Sequence, residues 1–373
     1  MQIIHIVLGR ANPHRMNGVN RVVHNLATAQ IHEGANVSVW GITDSADLPD
    51  DLERNYSTRW FMPSSWKFAV PTLLIKALKA NSPDTVYHLH GGFIPVFYGL
   101  SRTLKKMGVK FFITPHGTYT EGAMQGNGMV KKIYFTFLEK RLLSRATSVQ
   151  CLGHCELTDL KKLSTAVHTT LIPNGQNWDE LNLHEDFVAD NQFVIGYCGR
   201  ISRWQKGLDV LLEAFIRYRK QHQGEGVLHL VGDGEYLVEM KKGVADAGIA
   251  DAVVFHGKQF GEDKIRILKN MKVFVHTSRN EGLPTAVIEA AALGIPSIVS
   301  EMTSMDRYVV KFAAGWTLSS LDVDEVVRVF LVAQKAFKSG GLKSRGVNAL
   351  RMAEESFDWN VISRQTFEMY ACG

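Results

Sequence analysis

Short apolar runs alternate along the chain with longer segments whose apolar positions recur at helical spacing, the pattern of strand–helix–strand units and parallel sheets. In the first half the strand candidates are Gln2 to Leu8, Asn36 to Ile42, Thr85 to His90, Lys110 to Pro115 and Thr147 to Leu152. Each is apolar enough to be buried on both faces. Between the first two, Val19, Val22, Val23, Leu26 and Ile31 keep helical spacing and Gly34 supplies a stop. The pattern breaks at Leu171-Ile172-Pro173-Asn174-Gly175 and the polar run Gln176 to Asn191, then restarts at Phe193. Further strands follow at Val227 to Val231, Val253 to His256, Lys272 to His276 and Pro296 to Ser300. Helices are expected over Leu208 to Gln221, Glu235 to Ala247, Glu262 to Asn270, Thr285 to Leu293, Val323 to Lys338 and Trp359 to Tyr370. The reading is of two doubly wound α/β domains, residues 1–175 and 193–355, joined by a linker at 176–192. A C-terminal helix within 356–373 is expected to pack back on the first domain.

A chain of 373 residues suits two domains. Hydrophobic residues at 45% and charged residues at 21% exclude a disordered, collagen-like or disulfide-scaffold protein. Four cysteines fit a reducing compartment. Lys plus Arg number 42 against 37 Asp plus Glu, and the resulting +5 is too small an excess to imply nucleic-acid binding. The N-terminus lacks the basic start and long apolar centre of a signal peptide, and no run approaches the roughly 18 apolar residues of a membrane span. The expectation is a cytoplasmic protein that at most rests on the inner face of the cell membrane.

The strongest chemical signal is Asn280-Glu281-Gly282-Leu283-Pro284-Thr285, leading into a helix that carries Glu289 and ends near Gly294. Pro at the first turn and Gly at the end fix the local geometry. Free backbone N–H groups around Leu283 to Thr285 make an anion site. Glu281 and Glu289 beside such a site would repel a bare phosphate, so hydroxyl groups of a sugar or ribose are their better partners, unless Glu281 is only a cap and Glu289 only an exposed helical residue. Cations that could neutralise a phosphate lie in Gly199-Arg200-Ile201-Ser202-Arg203-Trp204-Gln205-Lys206-Gly207, between a strand and a helix, where loops open onto the ligand crevice of α/β sheets. Arg200 offers a planar fork and Lys206 a point charge.

These motifs resemble the retaining nucleotide-sugar glycosyltransferases of glycosyltransferase family four, of the bacterial surface-polysaccharide type. The resemblance extends to Asn17-Gly18-Val19-Asn20-Arg21, Pro115-His116-Gly117-Thr118, Ile172-Pro173-Asn174-Gly175 and Phe357-Asp358-Trp359. It implies the GT-B fold: two Rossmann-like domains facing across a cleft, acceptor on the first and donor on the second. It also implies roles. Arg200, Lys206, Gly18 and the Leu283, Pro284 and Thr285 backbone would hold the donor diphosphate, and Glu289 the ribose. Glu281 and His116 would act at the transferred sugar, and the nucleobase would lie near Gly257, Lys258, Gln259 and Phe260, with Lys264 close by. The implied partners are a nucleotide-sugar donor and a saccharide or lipid-linked acceptor, and the implied product a surface glycan. Fixed cations stand in for a metal, so no metal or other cofactor is expected. The chain departs from the family in Glu281-Gly282-Leu283-Pro284 and in Glu301 to Asp306, which lacks the usual paired glycines. The rival readings are a GT-B sugar-nucleotide epimerase and a catalytically silent sugar-nucleotide binder; the intact Arg200, Lys206, Glu281 and Glu289 set argues against the silent one.

Other signals read as structural. Asp322-Val323-Asp324 is a helix start rather than a metal site. Gly232-Asp233-Gly234 lacks the third glycine of a dinucleotide fingerprint. Cys151, His154 and Cys155 lack a second ligand pair, and His5, His229 and His276 read as packing residues. His88 and His90, whose strand ends at Gly91-Gly92, stay open between core and site. Lys131 to Leu143 reads as an ordinary helix with its apolar face inward, or, for a lipid-linked acceptor, as a contact with anionic membrane. Trp60, Phe61, Trp66 and Phe68 are either core or an acceptor-side surface.

Overall fold

The computed structural model describes the chain apart from residues 13–17, 48–51, 126–127, 177–191, 280 and 373. Most of the expected linker, together with Asn17 and Asn280 of the motifs above, therefore lies outside the described residues. The chain divides into two compact units, Met1–Gly175 with Trp359–Gly373, and Gln176–Asp358.

The first unit holds β1 (Gln2–Leu8), α1 (Gly18–His32), β2 (Asn36–Ile42), β3 (Ser57–Phe61), α2 (Thr72–Lys79), β4 (Val86–His90), α3 (Pro95–Met107) and β5 (Phe111–Thr114). These are followed by α4 (Glu121–Gln125), α5 (Gly128–Tyr134), a π-helical turn (Phe135–Glu139), α6 (Lys140–Leu143), β6 (Ser148–Cys151), α7 (His154–Leu163) and β7 (Thr169–Leu171). Its sheet is parallel throughout, in the order β3-β2-β1-β4-β5-β6-β7. Alternate residues of β1 serve its two faces: Ile4 and Ile6 join one core, Ile3 and Val7 the other. The second of these cores also takes Val23 and Leu26 of α1 and Ile362, Met369 and Tyr370 of the C-terminal helix.

The second unit holds β8 (Val194–Cys198), α8 (Leu208–Gln221), β9 (Val227–Val231), α9 (Leu237–Asp246), β10 (Val253–Gly257), α10 (Gly261–Lys269), β11 (Val273–His276) and α11 (Thr285–Ala292). It continues with β12 (Ser297–Ser300), α12 (Asp306–Phe312), β13 (Gly315–Leu318), α13 (Val323–Lys338) and α14 (Leu342–Phe357); α15 (Trp359–Cys372) belongs to the first unit. The sheet order is β10-β9-β8-β11-β12-β13, again parallel. Connections leave in opposite directions from the adjacent strands β8 and β11, which makes their C-terminal ends the topological switch point where such sheets bind ligands.

Several elements escaped the pattern reading. The strands β3, β7 and β13 are short, and β3 carries only one fully buried residue, Phe61. The basic segment from Lys131 to Leu143 is broken by the π-turn; Phe135, Leu142 and Leu143 are buried as an inward face requires, while Ile133 and Phe137, with Met129 and Val130 just ahead of the segment, stand 55–79% exposed. Of the four aromatics, Phe61 is core and Trp66 is exposed.

Candidate functional site

Two loops meet at the switch point of the second unit. The loop after β8 runs along the end of β11 and is stitched to it: Thr277 Oγ1 donates to the carbonyls of Lys206 and Gly207 at 3.1 and 3.2 Å, and Ser278 Oγ donates to that of Gln205 at 2.9 Å. Arg279 clamps the loop by donating to the Trp204 carbonyl and to both oxygens of Asp209. Gly207 makes this approach possible. Its φ of +63° is left-handed, and a Cβ there would come within 2.0 Å of the Thr277 carbonyl oxygen.

The result is that Lys206 Nζ stands 2.6 Å from Glu281 Oε1. The other oxygen, Oε2, lies 2.5 Å from His276 Nε2. Burial alone would raise the Glu281 carboxyl, but His276 and Lys206 overcome it and hold the group at about 2. Glu281 is thus an ionised acceptor whose two oxygens are already engaged. Its backbone also pairs with Thr303 after β12, so both neighbours of β11 fix its place. Arg200 is exposed at the same loop, its Nη2 donating to Gln205 Oε1 at 2.5 Å.

The helix α11 begins at Thr285, so Pro284 is the residue before the helix, not within its first turn. No side chain caps this end. Its free N–H groups and partial positive charge follow Glu281 within a few residues. Leu283 is half-buried and Thr285 exposed.

Glu289, buried on α11, receives Lys264 Nζ from α10 at 3.0 Å on each oxygen. Lys264 is therefore the partner of Glu289, which sequence spacing could not reveal. Of the expected base-binding stretch, Gly257 ends β10, Lys258 pairs with Asp233 at 3.3 Å, Gln259 donates to the His256 carbonyl and Phe260 is 64% exposed just before α10.

The remaining two expected residues lie in the first unit. Gly18 opens α1, and a Cβ there would meet nothing within 4 Å, so the chain's own packing does not demand glycine. His116 follows β5 with φ +56°, a strained conformation for a residue with a side chain and one that clusters at functional sites. Its Nε2 lies 3.1 Å from His90 Nδ1. His90 Nε2 is 2.9 Å from His5 Nδ1, and His5 Nε2 is 2.7 Å from Gln30 Oε1. His88 contacts Tyr370 Oη at 2.6 Å and Thr114 Oγ1 at 2.7 Å. Burial holds His5 and His116 at about 4, and His88 and His90 well below the ordinary value, so the rings are neutral at pH 7. Ring nitrogens of His5, His88 and His90 lie within 4.8 Å of one another, a spacing that would suit a metal. All six, however, already have hydrogen-bond partners.

His276, read from sequence as packing, is the partner of Glu281 that this reading missed. The available signal was position: it ends a strand at the switch point, five residues before Glu281. Asp322 Oδ1 accepts from Glu325 N, which makes it the cap of α13. Cys151 ends β6 and His154 opens α7.

Two family models tile most of the chain, "Glycosyltransferase Family 4" over residues 16–179 and "Glycosyl transferases group 1" over 180–331. The uncharacterized glycosyltransferase MJ1069 of Methanocaldococcus jannaschii is 27% identical over 171 residues, an alignment spanning 45% of this chain and 42% of that protein. An Escherichia coli UDP-Gal:alpha-D-GlcNAc-diphosphoundecaprenol alpha-1,3-galactosyltransferase is 26% identical, over 69% of this chain and 68% of its own. Among solved structures, Anabaena HepE in complex with UDP superposes with a TM-score of 0.73 at 17% identity, over 100% of both chains. The parallel sheets, the switch-point loops and the two adjoining models converge on one assignment: the chain is a GT-B glycosyltransferase of family four.

Proposed function

We propose that the chain moves a hexose-type sugar from a nucleotide-sugar donor to a saccharide or lipid-linked saccharide during surface-glycan assembly, with retention of anomeric configuration and without a metal. The observation that carries this reading is the Lys206–Glu281 contact of 2.6 Å immediately ahead of the uncapped start of α11. It joins a cation, a hydroxyl acceptor and an anion-binding helix tip at one switch point. As the bond from the anomeric carbon to the donor phosphate breaks, its electron pair passes to the leaving diphosphate. Arg200, Lys206 and the amides of Leu283 to Thr285 are positioned to meet that charge, which is the work a magnesium ion would otherwise do.

Retention is supported by the state of Glu281. A double displacement needs a carboxylate free to attack the anomeric carbon. Each oxygen of Glu281 is held by Lys206 or His276, which ties the carboxylate down against attack, while its remaining lone pairs can accept from sugar hydroxyls. In the front-face alternative the acceptor oxygen bonds to the anomeric carbon on the side the phosphate leaves, and the acceptor proton passes to the departing phosphate oxygen. Glu289, steadied by Lys264, takes the ribose hydroxyls, and His116 acts at the transferred sugar. The names of the Escherichia coli relative and the Anabaena complex support a uridine nucleotide donor and a lipid-linked acceptor.

An acceptor in a membrane gives meaning to the exposed apolar side chains of α5 and the π-turn. Met129, Val130, Ile133 and Phe137 project beside Lys132, Lys140 and Arg141, which are also exposed. Apolar groups rimmed by cations match an anionic lipid surface. Among the described residues no helix is long and apolar enough to cross a membrane.

The deciding experiment is calorimetric titration with UDP-, GDP-, ADP- and dTDP-sugars in EDTA, followed by a transfer assay with the donor that binds. One nucleotide class should bind and transfer should persist in EDTA, giving a product of unchanged anomeric configuration. Binding of none overturns the donor reading; activity lost in EDTA and restored by magnesium or manganese overturns the metal-free one.

A further inference from the structure

The histidine network of the first unit has a polarity that can be derived from one end to the other. The Ser363 carbonyl can only accept, so Thr366 Oγ1, 2.7 Å away, donates its single proton to it. Thr366 Oγ1 must then accept from Gln30 Nε2 at 3.1 Å. That fixes the Gln30 amide with Oε1 facing His5, where it accepts from His5 Nε2–H at 2.7 Å. A neutral imidazole has one donor and one acceptor nitrogen. His5 Nδ1 is therefore an acceptor and takes the proton of His90 Nε2–H; His90 Nδ1 in turn takes that of His116 Nε2–H. Only His116 Nδ1 is left, and among the described residues no hydrogen-bond partner stands against it.

We propose that this buried chain, Ser363–Thr366–Gln30–His5–His90, fixes His116 as its Nε2–H tautomer with Nδ1 presented as a hydrogen-bond acceptor, and that Gln30, His5 and His90 are positioning residues for a sugar hydroxyl bound there. The sugar as ligand rests on the glycosyl-transfer reading; the tautomer does not. A parallel branch has the same one-way logic. The Ile172 carbonyl accepts from Gln150 Nε2, Gln150 Oε1 from Thr114, Thr114 Oγ1 from His88 Nε2–H, and His88 Nδ1 from the Tyr370 hydroxyl. His88 is thereby locked and cannot exchange roles with its stacked neighbour His90, whose ring centroid is 4.3 Å away. The terminal helix α15 supplies Ser363, Thr366 and Tyr370, so residues some 250 positions downstream set the face that His116 shows. Burial, which keeps His5 and His116 neutral, preserves the alternation of donor and acceptor along the chain.

The test is long-range nitrogen–proton correlation NMR of the histidine rings in the full chain at pH 7, with His116 assigned through His116→Gln. His116 is expected as the Nε2–H tautomer. Gln30→Met removes the anchoring acceptor, so the His116 tautomer should shift toward Nδ1–H. With it kcat should fall at least about tenfold while the donor KM holds. An Nδ1–H tautomer in the native chain overturns the relay, and so does a Gln30→Met spectrum unchanged from native; should that variant fail to fold, the native spectrum alone decides. A shifted tautomer with unchanged kcat overturns the positioning role. Failure of the native chain to transfer any sugar would sink the glycosyl-transfer reading and leave the spectrum as it is, so the two failures are told apart.

Discussion

At the scale of single residues, Glu281 is defined by what holds it. A mostly buried carboxylate is costly unless it is paired. Lys206 and His276 supply the pairing from a loop and a strand end. Replacing Lys206 by Met leaves that charge short of a partner, so Lys206→Met should destabilise the second unit by about 3 kcal/mol and reduce kcat by about 100-fold. Adding Glu281→Gln removes the stranded charge. The double variant should regain most of the stability and none of the activity, because the cation that meets the leaving phosphate is still absent. Urea unfolding and steady-state kinetics on the four corners of this cycle check both halves. Recovery of activity in the double variant would mean that Lys206 serves only to neutralise Glu281.

Among elements, the turn that delivers Lys206 is tightly constrained. Gly207→Ala puts a methyl against the Thr277 carbonyl in a left-handed backbone, and we expect a loss of roughly 3 kcal/mol together with displacement of Lys206 from Glu281. Thermal unfolding and kcat should fall together; an active variant of native stability would show that the loop adapts. The outward face of α5 and the π-turn makes a separate prediction. Ile133→Asp with Phe137→Asp should reduce flotation with vesicles containing anionic lipid, relative to the parent chain, and leave transfer to a water-soluble acceptor intact. Equal flotation would remove this face from membrane contact. The break in that helix was not legible in its sequence; within the π-turn Glu139 is 1% exposed and accepts from the Tyr119 hydroxyl 20 positions earlier. Local periodicity carries no record of such a bond.

For the whole molecule, the duplication into two parallel-sheet units was legible because buried parallel strands are continuous apolar runs. The limits of β1, β2 and α13 follow from pattern alone. Arg200, Lys206, Glu281 and Glu289 were legible as motif residues, but their partners were not. The Lys264–Glu289 and His276–Glu281 pairs, and the Gln30–Thr366 bond across 336 positions, are set by topology that local sequence does not encode. That long-range burial of histidines gives the first unit a pH dependence with a definite sign. His5 falls from 6.5 to about 4 on folding, so the unfolded chain binds its proton first. Its stabilising effect is complete above 6.5 and is lost as pH drops toward 4, a deficit of about 2 kcal/mol at pH 5 from this residue alone. His88, His90 and His116 act in the same direction. Buried Glu139 and Glu156, raised by burial, act oppositely, since their protonated forms favour the fold. With four rings against two carboxyls, hydrogen exchange in β1 and β4 should show protection falling from pH 7 to pH 5. His5→Gln should reduce the slope by up to about 1.4 kcal/mol per pH unit. A slope unchanged by that substitution would mean that His5 is already protonated within the fold, and the neutral network would fall with it.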